Sequence, residues 1–409
     1  MDQPATDRIA ALDLIRGIAV LGILAVNIAG FAGPAAATLS PSFPATASAA
    51  DEAAHALVLL LFEGKMRALF SLLFGASMML FVERADAAGR DGEALQLRRL
   101  GWLALFGYLH FLLLWWGDIL FLYAVLGCAA LALRRLEVRP LAIGAAAFFV
   151  LWHLMGAVDG IGALARFDAV QAGTATPAQL GHYAAAQRDW STDAARQLAI
   201  YRGGYGGLIA YRAGETWGMP LRIAFSSLGE TVPLMLLGMA LYRSGFFAGH
   251  WPRKVLRRMA LAGIVGGAVP TAVFIAWAWP RHFPVQVLYQ FNLFWSAVPH
   301  LAMALGYAAL LMLAMPAFAR SAPGLRLRAA GRMAFSNYLA TSLVMTFIFY
   351  GWGLGFAGRI GAAGQLGVVL AGWAAMLGWS APWLRRFHQG PLEWLWRSLT
   401  EWRRLPLRR

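Results

Sequence analysis

Charge is what this chain has least of. Only 13% of its 409 residues are charged and 60% are hydrophobic, with a mean hydropathy of +0.58, whereas a soluble domain carries about a quarter charged residues. A soluble globular fold is excluded on that ground. Acidic residues are scarcer than basic ones, 20 against 35, for a net charge of +15 and a pI near 10.8. In a soluble protein that balance would point to nucleic acid, but here the arginines gather in short loops between apolar runs, as membrane topology requires. Cysteine is nearly absent. Cys128, alone and inside an apolar run, permits no intrachain disulfide and no cysteine-based metal site, and reads as a small core residue. The sequence also lacks HExxH, GxSxG, a P-loop and any CxxC, so the chemistry those motifs carry is not signalled and no metal is expected.

What is present is a series of apolar stretches long enough to cross a bilayer, which takes about 20 residues. They lie near Leu12–Phe31, Met66–Val82, Leu100–Trp116, Ile119–Leu133, Leu141–Val158, Leu221–Leu241, Met259–Trp279, Phe291–Met315, Ala334–Trp352 and Gly367–Trp383. The expected fold is all-α, a polytopic transmembrane bundle of about ten spans. The first stretch is longer than a signal h-region and has Asp13 ahead of Arg16, so it is expected to stay as the first helix. With no Gly/Ser linker, low-complexity tract or clear repeat, residues 1–409 are read as a single membrane domain.

Arginine placement sets the expected orientation. Arg84, Arg90, Arg98 and Arg99 share one loop, Arg134, Arg135 and Arg139 the next on that side, then Arg243, Arg253, Lys254, Arg257 and Arg258, then Arg320, Arg326, Arg328 and Arg332. The positive-inside rule makes these loops, both termini and the basic tail 384–409 cytoplasmic. The opposite loops carry Asp51, Glu52, Glu63 and Asp118 with few cations. One of them, residues 158–220, is long and rich in Tyr, Arg and Gly. Tyr201, Arg202, Tyr205, Tyr211, Arg212 and Trp217 suit either an ordered lid that positions a sugar-like acceptor or a pair of interfacial helices.

Polar side chains at membrane depth are the candidate site residues, because each is costly there. The first stretch, ALDLIRGIAVLGILAVN, holds Asp13 and Arg16, one turn apart and able to pair, and Asn27 about three turns deeper. His110 lies mid-span in FGYLHFLLLWWGD, and eight residues on, Asp118 would share its face if one helix carried both. A helix-to-helix hydrogen bond is the alternative role for His110. Glu230 in SSLGETVPLMLLG is an acid away from the ends of its stretch, a base, a relay or half of a buried pair. Lys65 and Arg67 in EGKMRALFSLLFG run against the positive-inside bias and suit an anion or simple snorkelling. His300, Asn337 and Tyr338 add further polar groups at that depth.

Several stretches together resemble the YeiB-like bacterial inner-membrane proteins: LDLIRGIAVLGILAVNI, GKMRALFSLLFGA, LHFLLLWWGDILFLYAVLG, LLGMALYRSGFF, GRMAFSNYLATSLVMTFIFYGWGLG and GPLEWLWRSLT. The resemblance covers nearly the whole chain and implies a multi-pass protein of the bacterial inner membrane. The opening pattern is also similar to that of the transmembrane acyltransferase superfamily, which includes the lysosomal heparan-alpha-glucosaminide N-acetyltransferase. Asp13, Arg16, Gly17 and Asn27 match that opening motif. The similarity implies transfer of an acyl group from cytoplasmic acyl-CoA, acetyl-CoA for instance, to a hydroxyl or amine on the far side. A histidine follows the asparagine in that relative, whereas IAGFAGPAAATLSPSFP here has none, so the base falls to His110 or, second, to Glu230.

The expected catalytic residues are therefore Asn27 as oxyanion donor, His110 as base and Glu230 in reserve. The expected substrate-binding residues are Asp13, Arg16, Lys65, Arg67, Asp118, Arg202, Arg212, Asn337 and Tyr338, with Arg84, Arg98, Arg99, Arg253, Lys254 and Arg257 meeting the phosphates of CoA. The partners implied are the lipid bilayer and a small-molecule or glycan acceptor, with a homodimer left open and no nucleic acid. A transporter or flippase for an anionic lipid or small metabolite is the competing reading. A scaffold whose tail, Arg403 to Arg409, binds anionic headgroups is a third.

Overall fold

In the computed structural model, which describes residues 5–318 and 320–409, the first apolar run forms α1 (Ala5–Ala32). It is followed by α2 (Ala49–Leu61), α3 (Lys65–Ala87), α4 (Gly92–Leu113), α5 (Leu120–Ala132) and α6 (Val138–Gln171). Next come α7 (Pro177–Arg202), α8 (Tyr205–Gly214), α9 (Met219–Ser226), α10 (Leu228–Arg243), α11 (Arg253–Ala278) and α12 (Val285–Gln290). The chain closes with α13 (Ala297–Phe318), α14 (Ala322–Arg332), α15 (Ala334–Phe349), α16 (Ala362–Arg386) and α17 (Pro391–Thr400). The described residues are all-helical, and the apolar stretches read as spans fall on helices.

By length and composition α1, α6, α11, α13 and α16 suffice to cross a bilayer, and α9 with α10, bent by 64° at their junction, makes a sixth candidate. The other expected spans lie on α3, α4, α5 and α15, of which α5 and α15 are apolar but short. α6 and α11 present Leu151, Leu154, Val158, Leu261, Val265 and Val273 outward, all more than 45% exposed. Soluble proteins rarely show such a belt, and lipid is its natural cover. Cys128 belongs to this outer surface, not to the core as its apolar neighbours suggested; its thiol donates to the carbonyl of Ala124.

Small residues set the closest helix approaches, as is usual where van der Waals contact drives association. A Cβ on Gly75 of α3 would stand 2.0 Å from the Met235 carbonyl of α10, and one on Gly238 would stand 1.9 Å from the Leu72 carbonyl. α1 and α14 meet in the same reciprocal way through Gly17 and Gly331. Gly64, between α2 and α3, sits at φ +70, and a Cβ there would overlap the His300 ring. Only glycine serves both the left-handed turn and that contact.

The stretch 158–220 is mostly helical. α6 continues to Gln171, and α7 starts at a capping box in which Thr176 and Gln179 satisfy each other's backbone N–H groups. The tail is not free either. α17 folds back on α4 and α15, with Arg90 paired to Glu401 and the Trp396 indole donating to the Arg99 carbonyl. Contacts such as Arg134 to Glu93, Arg243 to the Leu136 carbonyl and Arg332 to the His388 carbonyl gather the arginine-rich loops on one face.

Candidate functional site

A cavity of about 230 Å³ lies among α1, α3, α4, α5, α14, α15 and α17. Its wall on α1 is the stripe Arg16, Val20 and Ile23, a helical spacing that puts one face toward the space. Four arginines stand at the arginine-rich end: Arg16, Arg99, Arg332 and Arg397. Arg16 donates to Asp13 at 3.0 Å and to Ser77 at 2.8 Å, so the buried Asp13 serves to hold it. Arg99 has no carboxylate partner among the described residues. Its guanidinium lies 4.0 Å from the Phe81 ring and 4.4 Å from the Trp396 ring, an aromatic sandwich that holds the charge while leaving its edge for an anion. Phe70, Leu73, Phe74 and Leu103 make the middle apolar, and Ile119, Tyr123 and Tyr338 close the far end.

Behind that closed end sits a polar pair. His110 Nδ1 is 2.8 Å from an Asp118 carboxylate oxygen, and both side chains are 1% exposed. The other Asp118 oxygen accepts from the Phe121 backbone N–H at 2.7 Å, which fixes the carboxylate at the start of α5. The two residues do not share a helix face as the spacing of eight suggested. α4 ends at Leu113, and the turn through Trp115 and Trp116 brings Asp118 back against His110. With Nδ1–H donating to Asp118, the neutral ring carries its lone pair on Nε2, and Nε2 is buried with no partner. The Tyr338 ring packs 5.1 Å from the imidazole, between it and the cavity. Its hydroxyl is held only by long bonds, 3.3 Å to the Gly117 carbonyl and 3.4 Å from the Ile119 N–H.

Asn27 extends the α1 stripe of Arg16, Val20 and Ile23 by one further turn. It is half-buried and has no hydrogen-bond partner among the described residues. One turn beyond it, the Gly30 carbonyl accepts from the indoles of both Trp115 and Trp116, which ties this end of α1 to the hairpin bearing His110 and Asp118. No direct contact joins Asn27 to His110, and Asn27 does not line the cavity. Its neighbours Ala25, Val26, Ile28 and Ala29 face a separate space of about 30 Å³ with His55 and Glu63.

Other expected site residues are engaged elsewhere. Arg67 holds Glu230 through two bonds, 3.2 Å from Nε and 3.0 Å from Nη2, so Glu230 is half of an ion pair and neither group is free. Lys65 is fully buried and donates to the Leu59 carbonyl at 2.7 Å, which leaves it out of reach of an external anion. Asn337 joins three helices, donating to the Ala330 carbonyl and Ser380 and accepting from Trp379. Arg212 is buried with one long bond to the Leu112 carbonyl, whereas Arg202 lines a groove on the opposite face. Of the cations assigned to CoA phosphates, Arg99 alone lines the cavity. Arg98 is occupied by the Thr400 carbonyl, and Arg253, Lys254 and Arg257 lie on α11, outside the cavity wall.

Sequence reasoning missed the contribution of α17. Glu393 accepts from the backbone N–H groups of Phe335 and Ser336, capping α15, and Trp396 and Arg397 form part of the cavity wall. Burial pushes the Glu393 carboxyl above the ordinary glutamate range, against the pull of its bonds to Ser336 and Phe335. A raised folded value means that the docked tail binds the proton more tightly than the free tail does. Its stabilisation is full below the ordinary glutamate pKa and falls as pH rises through the raised one. Protection factors of 391–400, with the intrinsic rise of exchange with pH divided out, are therefore expected to fall over that interval in the native protein, and Glu393→Gln to abolish this fall. An unchanged pH profile in Glu393→Gln would refute the assignment.

Residues 241–403 match a family model described as a protein of unknown function, DUF418. The uncharacterized protein YxaH of Bacillus subtilis (strain 168) is 32% identical over 410 residues, covering 96% of this chain and 94% of that protein. The uncharacterized protein YeiB of Escherichia coli (strain K12) is 31% identical over 401 residues, covering 96% of both. An uncharacterized 39.9 kDa protein encoded in the amylase 3' region of Bacillus acidopullulyticus is 37% identical over 138 residues, 34% of this chain and 37% of that one. No solved structure matches.

Proposed function

The chain belongs to the YeiB-like family of membrane proteins, and from that premise we propose that it is a membrane acyltransferase, using cytoplasmic acyl-CoA to acylate an acceptor on the other side of the bilayer. The observation that carries this reading is the His110–Asp118 pair, buried at 2.8 Å with Nε2 unpartnered, behind the closed end of a cavity whose other end bears four arginines. A carboxylate that orients an imidazole and leaves its second nitrogen free is the arrangement a general base needs.

The cavity divides the donor into two parts. At about 230 Å³ it falls below the range of roughly 300 to 1,000 Å³ that holds a drug-sized ligand, so a whole acyl-CoA does not enter. The acyl chain and thioester arm lie along the apolar wall, and the phosphates remain among Arg16, Arg99, Arg332 and Arg397. Tyr338 swings aside to expose the thioester to His110. Nε2 takes the proton of the acceptor hydroxyl, whose oxygen attacks the thioester carbonyl. The tetrahedral intermediate then expels the CoA thiolate, which takes that proton from the imidazolium.

Binding tests the donor half. Labelled acetyl-CoA is expected to bind saturably to the protein in nanodiscs, and Arg99→Ala with Arg397→Ala to weaken binding at least about tenfold, as the loss of two charge-assisted contacts implies. No saturable binding to the wild type would sink the reading. The transporter reading draws on the openings at both ends of α1, the cavity and the groove of the opposite face. Uptake into proteoliposomes without release of CoA thiol would favour it.

A further inference from the structure

A second recess of about 820 Å³ lies on the face opposite the arginine cluster, between α7, the end of α6, the segment after α11 and the loop after α1. Its size suits an extended organic molecule. Two arginines, Arg202 and Arg281, stand in its wall, and no Asp or Glu does among the described residues. The half-buried rings of Phe43 and Tyr183 share its wall with the amides of Gln187 and Gln286, over a floor closed by the buried Phe167 and Phe283. Aromatic rings suit the C–H side of a pyranose, amides suit its hydroxyls in both directions, and guanidinium groups in the same wall suit a carboxylate or sulfate on the same molecule. From this juxtaposition we propose that the recess binds an acidic oligosaccharide.

The wall is held in a strained form. His282 and Phe283 are consecutive non-glycine residues at φ 54 and φ 53, a conformation costing on the order of 1–3 kcal/mol each that persists only where the surroundings enforce it. The enforcing group is Glu52 of α2, 7% exposed, which accepts from the Trp279 indole at 3.1 Å and pairs with His282 Nδ1 at 2.7 Å. Arg281 projects from this clamped turn over the Trp277 ring. Arg202 is fixed from the other side by its bond to the Ala357 carbonyl. The recess also overlies the far end of α1. Gln197 of α7 accepts from the Ala35 N–H, and the Gly358 N–H donates to the Ala32 carbonyl. As the seat of the acyl acceptor the recess rests on the acyltransferase reading; as a binding site it does not.

The test uses the full chain in nanodiscs, without donor. Saturation-transfer NMR is run with trigalacturonate, sialyllactose and a heparin-derived tetrasaccharide, and with the neutral maltotriose and lactose. At least one acidic member is expected to bind with an affinity at least ten times that of the neutral ones. Arg281→Ala is expected to weaken it at least tenfold, and Gln187→Trp, which fills the recess, to abolish it. Circular dichroism and detergent-stable size are expected to stay unchanged in both. Equal binding of neutral and acidic members, binding by none of the acidic ones, or binding indifferent to both variants would overturn the proposal. Because no acyl-CoA is present, these outcomes are separate from failure of the transfer reaction.

Discussion

Replacing His110 by asparagine is expected to cut acyl transfer by about 10²- to 10⁴-fold, the range that general-base catalysis contributes, while labelled acetyl-CoA still binds. The expectation follows from where the donor lies. The arginines proposed to hold its phosphates are at the other end of the cavity from His110, with Tyr338 between, so removing the imidazole should leave donor binding in place and remove the proton acceptor. Asp118→Asn should lower the rate in the same direction, because an amide that donates to Nδ1 would turn the ring's proton to Nε2 and leave the wrong tautomer facing the acceptor. Asp118 also accepts from the Phe121 N–H, so its variant needs a thermal-unfolding control that His110→Asn, on α4, needs less. Retained transfer in His110→Asn, with donor binding intact, would remove this residue from the mechanism.

The largest structural effect is expected at the crossing of α1 and α14. A Cβ at Gly331 would lie 1.9 Å from the Asp13 carbonyl oxygen and 2.7 Å from the Gly17 nitrogen, backbone atoms that cannot turn away. Gly331→Leu therefore forces the helices apart, and overpacking of this kind costs about 1–3 kcal/mol, occasionally more. Two cavity arginines sit on either side of this contact, Arg16 next to Gly17 and Arg332 next to Gly331, so separation also spreads the proposed phosphate site. The variant is expected to lose both thermal stability in detergent and donor affinity. Gly101→Leu, at a glycine of α4 with open space around it, is the control that should lose neither.

The legible part of this molecule was its apolar periodicity and its polar intruders. The apolar runs are long enough to announce helices, and polar residues within or beside them, such as His110, Asp118 and Glu230, stand out against that background. The sequence could not say who pairs with whom across distance. Glu230 and Arg67 are 163 residues apart, and the sequence left Glu230 as a base, a relay or half of a pair whose partner it could not name. The spacing of His110 and Asp118 pointed to the right pair for the wrong reason, since the contact is made through a turn. The tail read as a basic, solvated segment, because nothing local in GPLEWLWRSLT says that Glu393 will cap another helix or that Trp396 will stack on Arg99. The cavity was invisible for the same cause: its wall is drawn from helices scattered along the whole chain, and only the α1 stripe of Arg16, Val20 and Ile23 carries a periodic trace of it.

Sealed vesicles with the arginine-rich face outward give the most direct test of acyl transfer across the bilayer. Acetyl-CoA labelled in the acetyl group is added outside, with acidic oligosaccharide enclosed within. The account predicts that label accumulates in the enclosed oligosaccharide with equimolar release of CoA thiol outside, and that His110→Asn abolishes both. Label entering without thiol release, or thiol release no faster than in empty vesicles, would contradict it.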